Sequence, residues 1–473
     1  MTKLNPEIFR KSDIRGIVGK HLTEETVRII GRAIGTFMIR HGASVVTLGY
    51  DNRLSSLAFR DALADGILST GCDILDIGMV PTPLLYFSLF HLETDGGVMI
   101  TGSHNPAEFN GFKICLGANS LFGKSIQELY HITEIKDFVI GKGVLLKKNI
   151  IDNYITKITS LINISRDVKF VVDGGNGCFG AVGPKLFEKL NLKPVELYWQ
   201  PDGRFPNHHP DPAIPENLKD LAKKVCEEDA EFGIGFDCDV DRIGVVDNKG
   251  NIIWGDQLLM VFSRDILMKN PGAIIIGDVK CSQTLFEDIK ENGGVPVIAP
   301  AGHSIIKDKM NELHALMAGE TSGHISFADN YFGYDDAIFA ACRLLEIISE
   351  SDKKIAEMLP GACANVVNTP VINVDCPDNQ KFKIIRELRD FFRDKYQFVD
   401  VDGIRLNFSD GWALVRASNT QPALTLRFEA DTVERLEEIK DIVFTPLMEH
   451  EVIYQNNMQL LSNIFSNQNV CLV

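Results

Sequence analysis

Short apolar runs, each closed by a polar loop and followed by a helical pattern, recur along most of the chain. Val45-Val46-Thr47-Leu48-Gly49-Tyr50 reads as a strand, Asp51-Asn52-Arg53 as a polar loop, and residues 57–68 as a helix. The unit returns where Val168-Lys169-Phe170-Val171-Val172 leads into Asp173-Gly174-Gly175-Asn176-Gly177 and a helix over 183–190. It returns again where Ala273-Ile274-Ile275-Ile276 leads into Asp278-Val279-Lys280 and a helix reaching residue 290, with 295–298 as the next strand. Strand, loop and helix recurring about every hundred residues imply three related α/β domains. Strands this short and apolar imply mixed or parallel sheets covered on both faces.

The alternation changes character towards the C-terminus. Gly403-Ile404-Arg405-Leu406-Asn407-Phe408 and Trp412-Ala413-Leu414-Val415-Arg416-Ala417 flank a Ser409-Asp410-Gly411 turn and read as a hairpin. A strand over 423–428 and an amphipathic helix over 432–443 complete a smaller α+β domain. Residues 454–473, rich in Asn, Gln and Ser, carry no assignment. The expected domains are 1–149, 150–251, 252–365 and 366–473.

Composition narrows the setting. At 473 residues, 45% hydrophobic and 24% charged, the chain is an ordinary globular protein with room for several cores. No apolar stretch approaches a membrane span, and the start, Met-Thr-Lys-Leu-Asn-Pro-Glu, lacks the apolar centre of a secretory signal, so a cytoplasmic protein without membrane contact is expected. The 10 cysteines include no Cys-x-x-Cys pair, which predicts reduced, mostly buried thiols. Cys471 is third from the end, where prenylation needs the fourth position. A net charge of −16 argues against a nucleic-acid surface, because phosphate backbones are bound through clustered cations.

Candidate chemistry lies in four loops. Thr101-Gly102-Ser103-His104-Asn105-Pro106 follows the apolar run Gly-Gly-Val-Met-Ile and puts a serine hydroxyl on a turn after a strand. Asp237-Cys238-Asp239-Val240-Asp241-Arg242 offers three carboxylates at alternate positions between two strands, which suits a hard divalent cation. An EF-hand is excluded, since its Gly and Glu positions hold Arg242 and Asn248. Gly319-Glu320-Thr321-Ser322-Gly323-His324 groups a carboxylate, hydroxyls and an imidazole between glycines, a set suited to sugar hydroxyls. Arg416-Ala417-Ser418-Asn419-Thr420-Gln421-Pro422 offers donors matched to phosphate oxygens. The segment 117–125 has five residues between its glycines where a nucleotide P-loop needs four, so it reads as a surface loop opening a helix. His208-His209, in a proline-rich loop without partners at ligand spacing, reads as structural packing.

These four loops in this order resemble the α-D-phosphohexomutase superfamily, especially its bacterial phosphomannomutase/phosphoglucomutase members. The resemblance covers nearly the whole chain and extends to Phe9-Arg10-Lys11-Ser12-Asp13-Ile14-Arg15-Gly16, Asn110-Gly111-Phe112-Lys113, residues 205–218, Gly277-Asp278-Val279-Lys280-Cys281 and Gly302-His303-Ser304. It implies four domains around a central cleft, and a reversible interconversion of mannose 1-phosphate and mannose 6-phosphate that accepts glucose phosphates too. By the same resemblance Ser103 carries a phosphoryl group, and one Mg²⁺ per chain is held by Ser103, Asp237, Asp239 and Asp241. A hexose 1,6-bisphosphate is then both intermediate and activator. Arg15, Lys113 and Arg242 offset transferring charge, and Lys113 or His324 carries the proton. Glu320, Thr321, Ser322, Gly323 and His324 face the sugar, Lys280 and His303 add contacts, and Arg416, Ser418, Asn419 and Thr420 grip the other phosphate. The implied partners are small hexose phosphates, with no nucleic acid and a monomeric chain. Ser12, Thr321 and Gln257 depart from common family residues. Phosphoglucosamine mutase is the alternative reading, with a metal-dependent sugar-phosphate phosphatase and a catalytically silent paralogue behind it. Asp239→Asn is expected to weaken metal binding more than folding.

Overall fold

The computed structural model describes residues 4–361, 363, 366–418, 422–457 and 471–472. They group into two compact units, Met1–Ile266 with Gly302–Met358 and Leu267–Ala301 with Leu359–Val473.

In the first unit the repeated apolar runs become parallel strands. Val45–Tyr50 lies between Asp73–Met79 and Gly96–Ile100, and Leu145–Lys147 extends the sheet beyond Asp73–Met79. Phe109–Leu116 and then Ile14–Ile17 add antiparallel strands on the other side. Val46, Leu48, Ile74, Val98 and Phe112 form a core with apolar residues of helices Glu24–Arg40 and Ser56–Leu68. Helix Glu24–Arg40 starts where Thr23 and Thr26 cap each other's backbone N–H groups and two glutamates face the positive end of the dipole. Because Val45–Tyr50 and Gly96–Ile100 run side by side in parallel, the loops that follow them, 51–55 and 101–108, emerge together at the carboxyl edge. That edge is where open α/β sheets build binding crevices.

A second sheet in this unit pairs Phe232–Phe236 in parallel with Phe170–Asp173 and antiparallel with Ile243–Asp247. The three aspartates therefore occupy the connection between two hairpin strands, at the carboxyl end of the parallel one. Met317–Gly319 and Ile325–Phe327 pair antiparallel through a connection that is the 320–324 loop, and a backbone bridge between Arg242 and His324 ties the two connections together.

In the second unit Ile274–Asp278 pairs in parallel with Val295–Ala299, and helix Gln283–Glu291 connects them. Gln397–Val399, Ile404–Phe408, Gly411–Ala417 and Ala423–Ala430 make an antiparallel sheet, covered by helices Asp378–Phe392 and Val433–Met448. The second helix runs five residues past its predicted end at 443, continuing through Pro446. Helix Glu451–Asn456 runs into the unassigned C-terminal stretch, within which Cys471–Leu472 pairs with Val367–Asn368. No described helix is long and apolar enough to cross a membrane, and Cys72, Cys115, Cys178, Cys226, Cys238, Cys281, Cys342, Cys363 and Cys376 are free thiols.

Candidate active site

Ser103 sits at φ 47°, a left-handed conformation that a non-glycine residue adopts only when its surroundings impose it. The imposing groups are visible. Arg53, wholly buried, donates to the carbonyls of Ser103 (2.5 Å), Asn105 (2.6 Å), Pro106 (2.6 Å) and Phe109 (3.0 Å), while its Nε lies 3.2 Å from Asp51. Thr101 Oγ1 accepts from the Ser103 N–H at 2.7 Å, and Asp51 accepts from the Gly102 N–H at 3.2 Å. A Cβ at Gly102 would stand 2.5 Å from the Arg53 guanidinium carbon, so glycine leaves the clamping guanidinium its place. Arg15 donates to the Gly102 carbonyl at 2.7 Å and to Asn105 Oδ1. His209 Nε2 meets the His104 carbonyl at 2.5 Å, and His208 pairs with Asp173 at 2.9 Å, so the double histidine does serve packing. It packs directly onto the serine loop.

Ser103 Oγ donates to Asp237 Oδ2 at 3.0 Å. Asp237, Asp239 and Asp241 are fully buried and bring ligand atoms within 4.8 Å of one another, an all-oxygen group able to hold a metal ion. Val240 between them has φ 62°, a strained value for a β-branched residue that turns the alternate carboxylates inward together. Asp237 Oδ1 accepts from the backbone N–H of Asp241 (3.1 Å) and Arg242 (3.2 Å). Even so, burial, then repulsion from Asp239 and Asp241, pushes its carboxyl well above the usual carboxylate range. Asp239 is held the other way: burial opposes ionisation, but the Lys113 ammonium at 2.7 Å and the Thr82 hydroxyl at 2.5 Å outweigh it. Lys113 also bonds Asp241, and although burial works against its charge, Asp239, Asp241 and Asp335 hold it above the ordinary lysine value. Lys113 and Arg242 against three buried carboxylates still leave the group short of positive charge. Asp239 Oδ1 and Asp241 Oδ1 are buried without a hydrogen-bond partner, so the donor set fits a hard cation.

The 320–324 loop brings His324 against this group. Its Nδ1 is 3.0 Å from Asp335 Oδ2 and 3.7 Å from Asp241 Oδ1, while Nε2 accepts from Arg242 Nε at 3.0 Å. These partners assign the ring hydrogen to Nδ1. Gly323 has φ 90° and lies so close to Ile243 that a Cβ would stand 2.2 Å from its carbonyl oxygen, which seats the loop on the hairpin. The His303 ring stacks on His324 with centroids 5.4 Å apart, and Glu320 accepts from the Gly302 N–H at 2.8 Å. Ser103, Arg15, Lys113, Asp237, Asp239, Asp241, Arg242, His303 and the 320–324 loop thus all belong to the first unit.

Lys280, Arg416 and Ser418 belong to the second. Lys280 Nζ lies 3.0 Å from Asp278, and Arg416 Nε and Nη2 both reach the same oxygen, Asp402 Oδ2, at 2.9 and 2.8 Å. Arg416 ends strand Gly411–Ala417 rather than lying in the turn itself. Buried Arg405 donates to the carbonyls of Val279 and Cys281, both at 2.9 Å, and Arg427 donates to that of Lys280 at 2.5 Å, bracketing the Lys280 loop. Asn419 and Thr420 lie outside the described residues. Of the departures, Gln257 is buried and accepts from the Trp254 N–H at 2.9 Å, at the start of helix Gly255–Lys269.

Arg53, Thr82 and Asp335 were not read from the sequence as site residues. Arg53 was visible only as part of a polar loop after a strand. Thr82 opens a helix after Pro81, and Asp335 precedes the helix cap Asp336, so both carry signals of local structure and none of chemistry.

The phosphoglucomutase/phosphomannomutase alpha/beta/alpha domains I, II and III match residues 6–139, 152–250 and 254–365, and the C-terminal domain of that family matches 371–445. A phosphomannomutase/phosphoglucomutase of Pseudomonas putida is 45% identical over 449 residues, covering 95% of this chain and 97% of its own. One from Pseudomonas aeruginosa is 47% identical over 440 residues, covering 93% and 95%. The crystal structure of a phosphoglucomutase/phosphomannomutase family protein from Burkholderia thailandensis aligns with a TM-score of 0.89 at 40% identity, over 94% of this chain and 98% of that one.

Proposed function

Because this chain belongs to the phosphoglucomutase/phosphomannomutase family of α-D-phosphohexomutases, we propose that it interconverts mannose 1-phosphate and mannose 6-phosphate, and the glucose phosphates likewise, with Ser103 as the phosphoryl carrier. It is an isomerase that works by phosphoryl transfer. The observation that carries the assignment of Ser103 is its Oγ, on a strained loop clamped by Arg53, 3.0 Å from one of three buried, charge-deficient aspartates.

A hydroxyl oxygen of the hexose phosphate attacks the phosphorus carried on Ser103, the bond from phosphorus to Oγ breaks, and a bound hexose 1,6-bisphosphate results. Return of the other phosphoryl group to Oγ releases the isomer, so phosphate is conserved. Asp237, Asp239 and Asp241, with the Ser103 phosphoryl oxygens, would hold Mg²⁺, which supplies Lewis-acid stabilisation of charge on the transferring group. Lys113 keeps its ammonium between Asp239 and Asp241 and suits charge compensation better than proton removal. His324, with Nδ1 fixed by Asp335, is the group we assign to the proton of the attacking hydroxyl, taken on Nε2 once that nitrogen exchanges its bond from Arg242 for the hydroxyl. Arg15 and Arg242 add positive charge, and the 320–324 loop and His303 contact the sugar. Lys280 and the 416–420 segment bind the phosphate that is not transferring, with Arg416 as the fork that matches its oxygens.

The test is turnover of mannose, glucose and glucosamine 1-phosphates with Mg²⁺ and catalytic glucose 1,6-bisphosphate. Isomerisation of the first two supports the assignment. Isomerisation of glucosamine phosphate alone would transfer it to the glucosamine enzymes, and release of free phosphate without isomerisation would make it a phosphatase.

A further inference from the structure

Helix His303–Leu313 opens on His303, and Lys307, one turn further on, lies on the same helix face. Both side chains reach Asp335: Lys307 Nζ lies 3.1 Å from Oδ1, and His303 Nδ1 lies 3.6 Å from Oδ2. Oδ2 also meets Nδ1 of His324 at 3.0 Å. The carboxylate thus divides its two oxygens, one to an ammonium and the other to imidazoles. Asp335 is 1% exposed and Lys307 7%, so water takes little part in the arrangement. A backbone bridge from Ser326 to Asp335 fixes the main chain of the aspartate beside strand Ile325–Phe327, which follows His324 directly. The Lys307 ammonium is itself held 3.7 Å above the Tyr86 ring, whose face attracts a cation.

A buried carboxylate whose partners are all neutral is unfavourable. His324 is neutral in this arrangement, with its hydrogen on Nδ1 and Nε2 accepting from Arg242. Burial pushes the His303 ring well below the usual histidine range, although Asp335 works against it. Among the described residues Lys307 is therefore the permanent cation in contact with Asp335. Burial alone would raise the Asp335 carboxyl, yet the Lys307 ammonium, and after it the bond from His324, hold it well below the usual carboxylate range. We infer that Lys307 is a positioning residue for the proposed reaction: by engaging Oδ1 it keeps Asp335 Oδ2 turned to Nδ1 of His324, and so keeps Nε2 without a hydrogen and able to take the hydroxyl proton. The inference rests on the reading in which His324 carries that proton. In this scheme Lys307 touches neither sugar nor phosphate and acts only through Asp335 and His324. A neutral side chain at 307 leaves Oδ1 unpaired in a dry place; the carboxylate then turns, and the ring hydrogen of His324 is no longer confined to Nδ1.

The test combines steady-state isomerisation of glucose 1-phosphate by the full chain, with Mg²⁺ and glucose 1,6-bisphosphate, and nitrogen NMR of the histidine-labelled protein, which reads the tautomer of His324. Lys307→Met should lower kcat by about tenfold with KM nearly unchanged. Lys307→Arg, which keeps the charge, should stay within about threefold of wild type. The His324 signals should report hydrogen on Nδ1 in wild type and a mixture of tautomers in Lys307→Met. Added to Asp335→Asn, Lys307→Met should lower kcat by less than about twofold more, because both changes break one path. That double variant carries neither buried charge, so it gives a reading even where Lys307→Met alone does not fold. Unchanged kcat in folded Lys307→Met, a loss confined to KM, an unchanged tautomer, or a full tenfold loss on top of Asp335→Asn would each overturn the inference. If the wild type isomerises no hexose phosphate, the proposed reaction fails, and the tautomer spectra still decide whether Lys307 orients His324.

Discussion

The serine and aspartate loops of the first unit and the Lys280 and Arg416 elements of the second handle charge in opposite ways. Around Ser103, negative charge is in excess, buried, and held on backbone strained at Ser103 and Val240. Around Lys280 and Arg416, each cation is paired with one nearby aspartate and sits on or beside regular strands. The first arrangement spends stability on a site that, under the proposed function, a cation and a phosphoryl group would complete. The second is neutral as it stands, so the phosphate proposed to bind there would share a guanidinium with Asp402. Changes in the first region should therefore strike turnover, and changes in the second should strike binding.

The strongest break is Ser103→Ala. Activity should fall by about 10³-fold or more, and the phosphoserine mass increment should disappear, while stability changes little because Arg53 still clamps the carbonyls. Wild-type turnover in that variant would remove the serine from the scheme. Next is Asp237→Asn, which should abolish Mg²⁺-dependent turnover and yet raise the melting temperature of the metal-free protein, since it relieves the repulsion that pushes this carboxyl up. A lowered melting temperature would show that the aspartate crowding is not a cost. Asp239→Asn should behave differently from the sequence-based expectation: it breaks the buried pair with Lys113 and should cost about 3 kcal/mol of folding stability as well as metal affinity.

Asp335→Asn tests orientation. Loss of the anchor on His324 Nδ1 should lower kcat by about 10²-fold with KM nearly unchanged; a change confined to KM would deny His324 a part in the transfer. Arg416→Lys, in the second unit, should do the reverse, raising KM by about tenfold at similar kcat, because an ammonium cannot replace the guanidinium fork. The smallest effect concerns pH. Burial, offset only in part by hydrogen bonds from Phe339 N–H, Tyr331 and Tyr154, raises the Asp336 carboxyl to about 6. The folded state then binds this proton more tightly than the unfolded chain, so the contribution to stability is greatest below pH 4 and is lost as pH rises through 6. Denaturant titrations of wild type and Asp336→Asn between pH 4 and 7 should differ by that slope, and parallel curves would contradict it.

Much of this was readable along the chain. Strands at 45–50, 168–172, 273–276 and 403–408 are apolar runs whose neighbours in sequence suffice to define them, and the structure places strands at each with shifts of at most two residues. The serine and aspartate loops were legible because each combines its chemistry within six consecutive residues. Arg53, Thr82 and Asp335 were not, because their partners lie 50, 157 and 11 residues away and each looks locally like a loop or helix cap.

What the sequence by itself determined is therefore the set of local elements, the four loops and, through their order, the family. Tertiary structure decided which charges share a dielectric environment: that Lys113 spans Asp239 and Asp241, that Asp237 lacks such a partner, and that His324 is turned by Asp335. The physical reason is that strand and turn preferences act between neighbours along the chain. The ionisation and orientation of a buried side chain depend on distance and burial, which only the packed chain supplies.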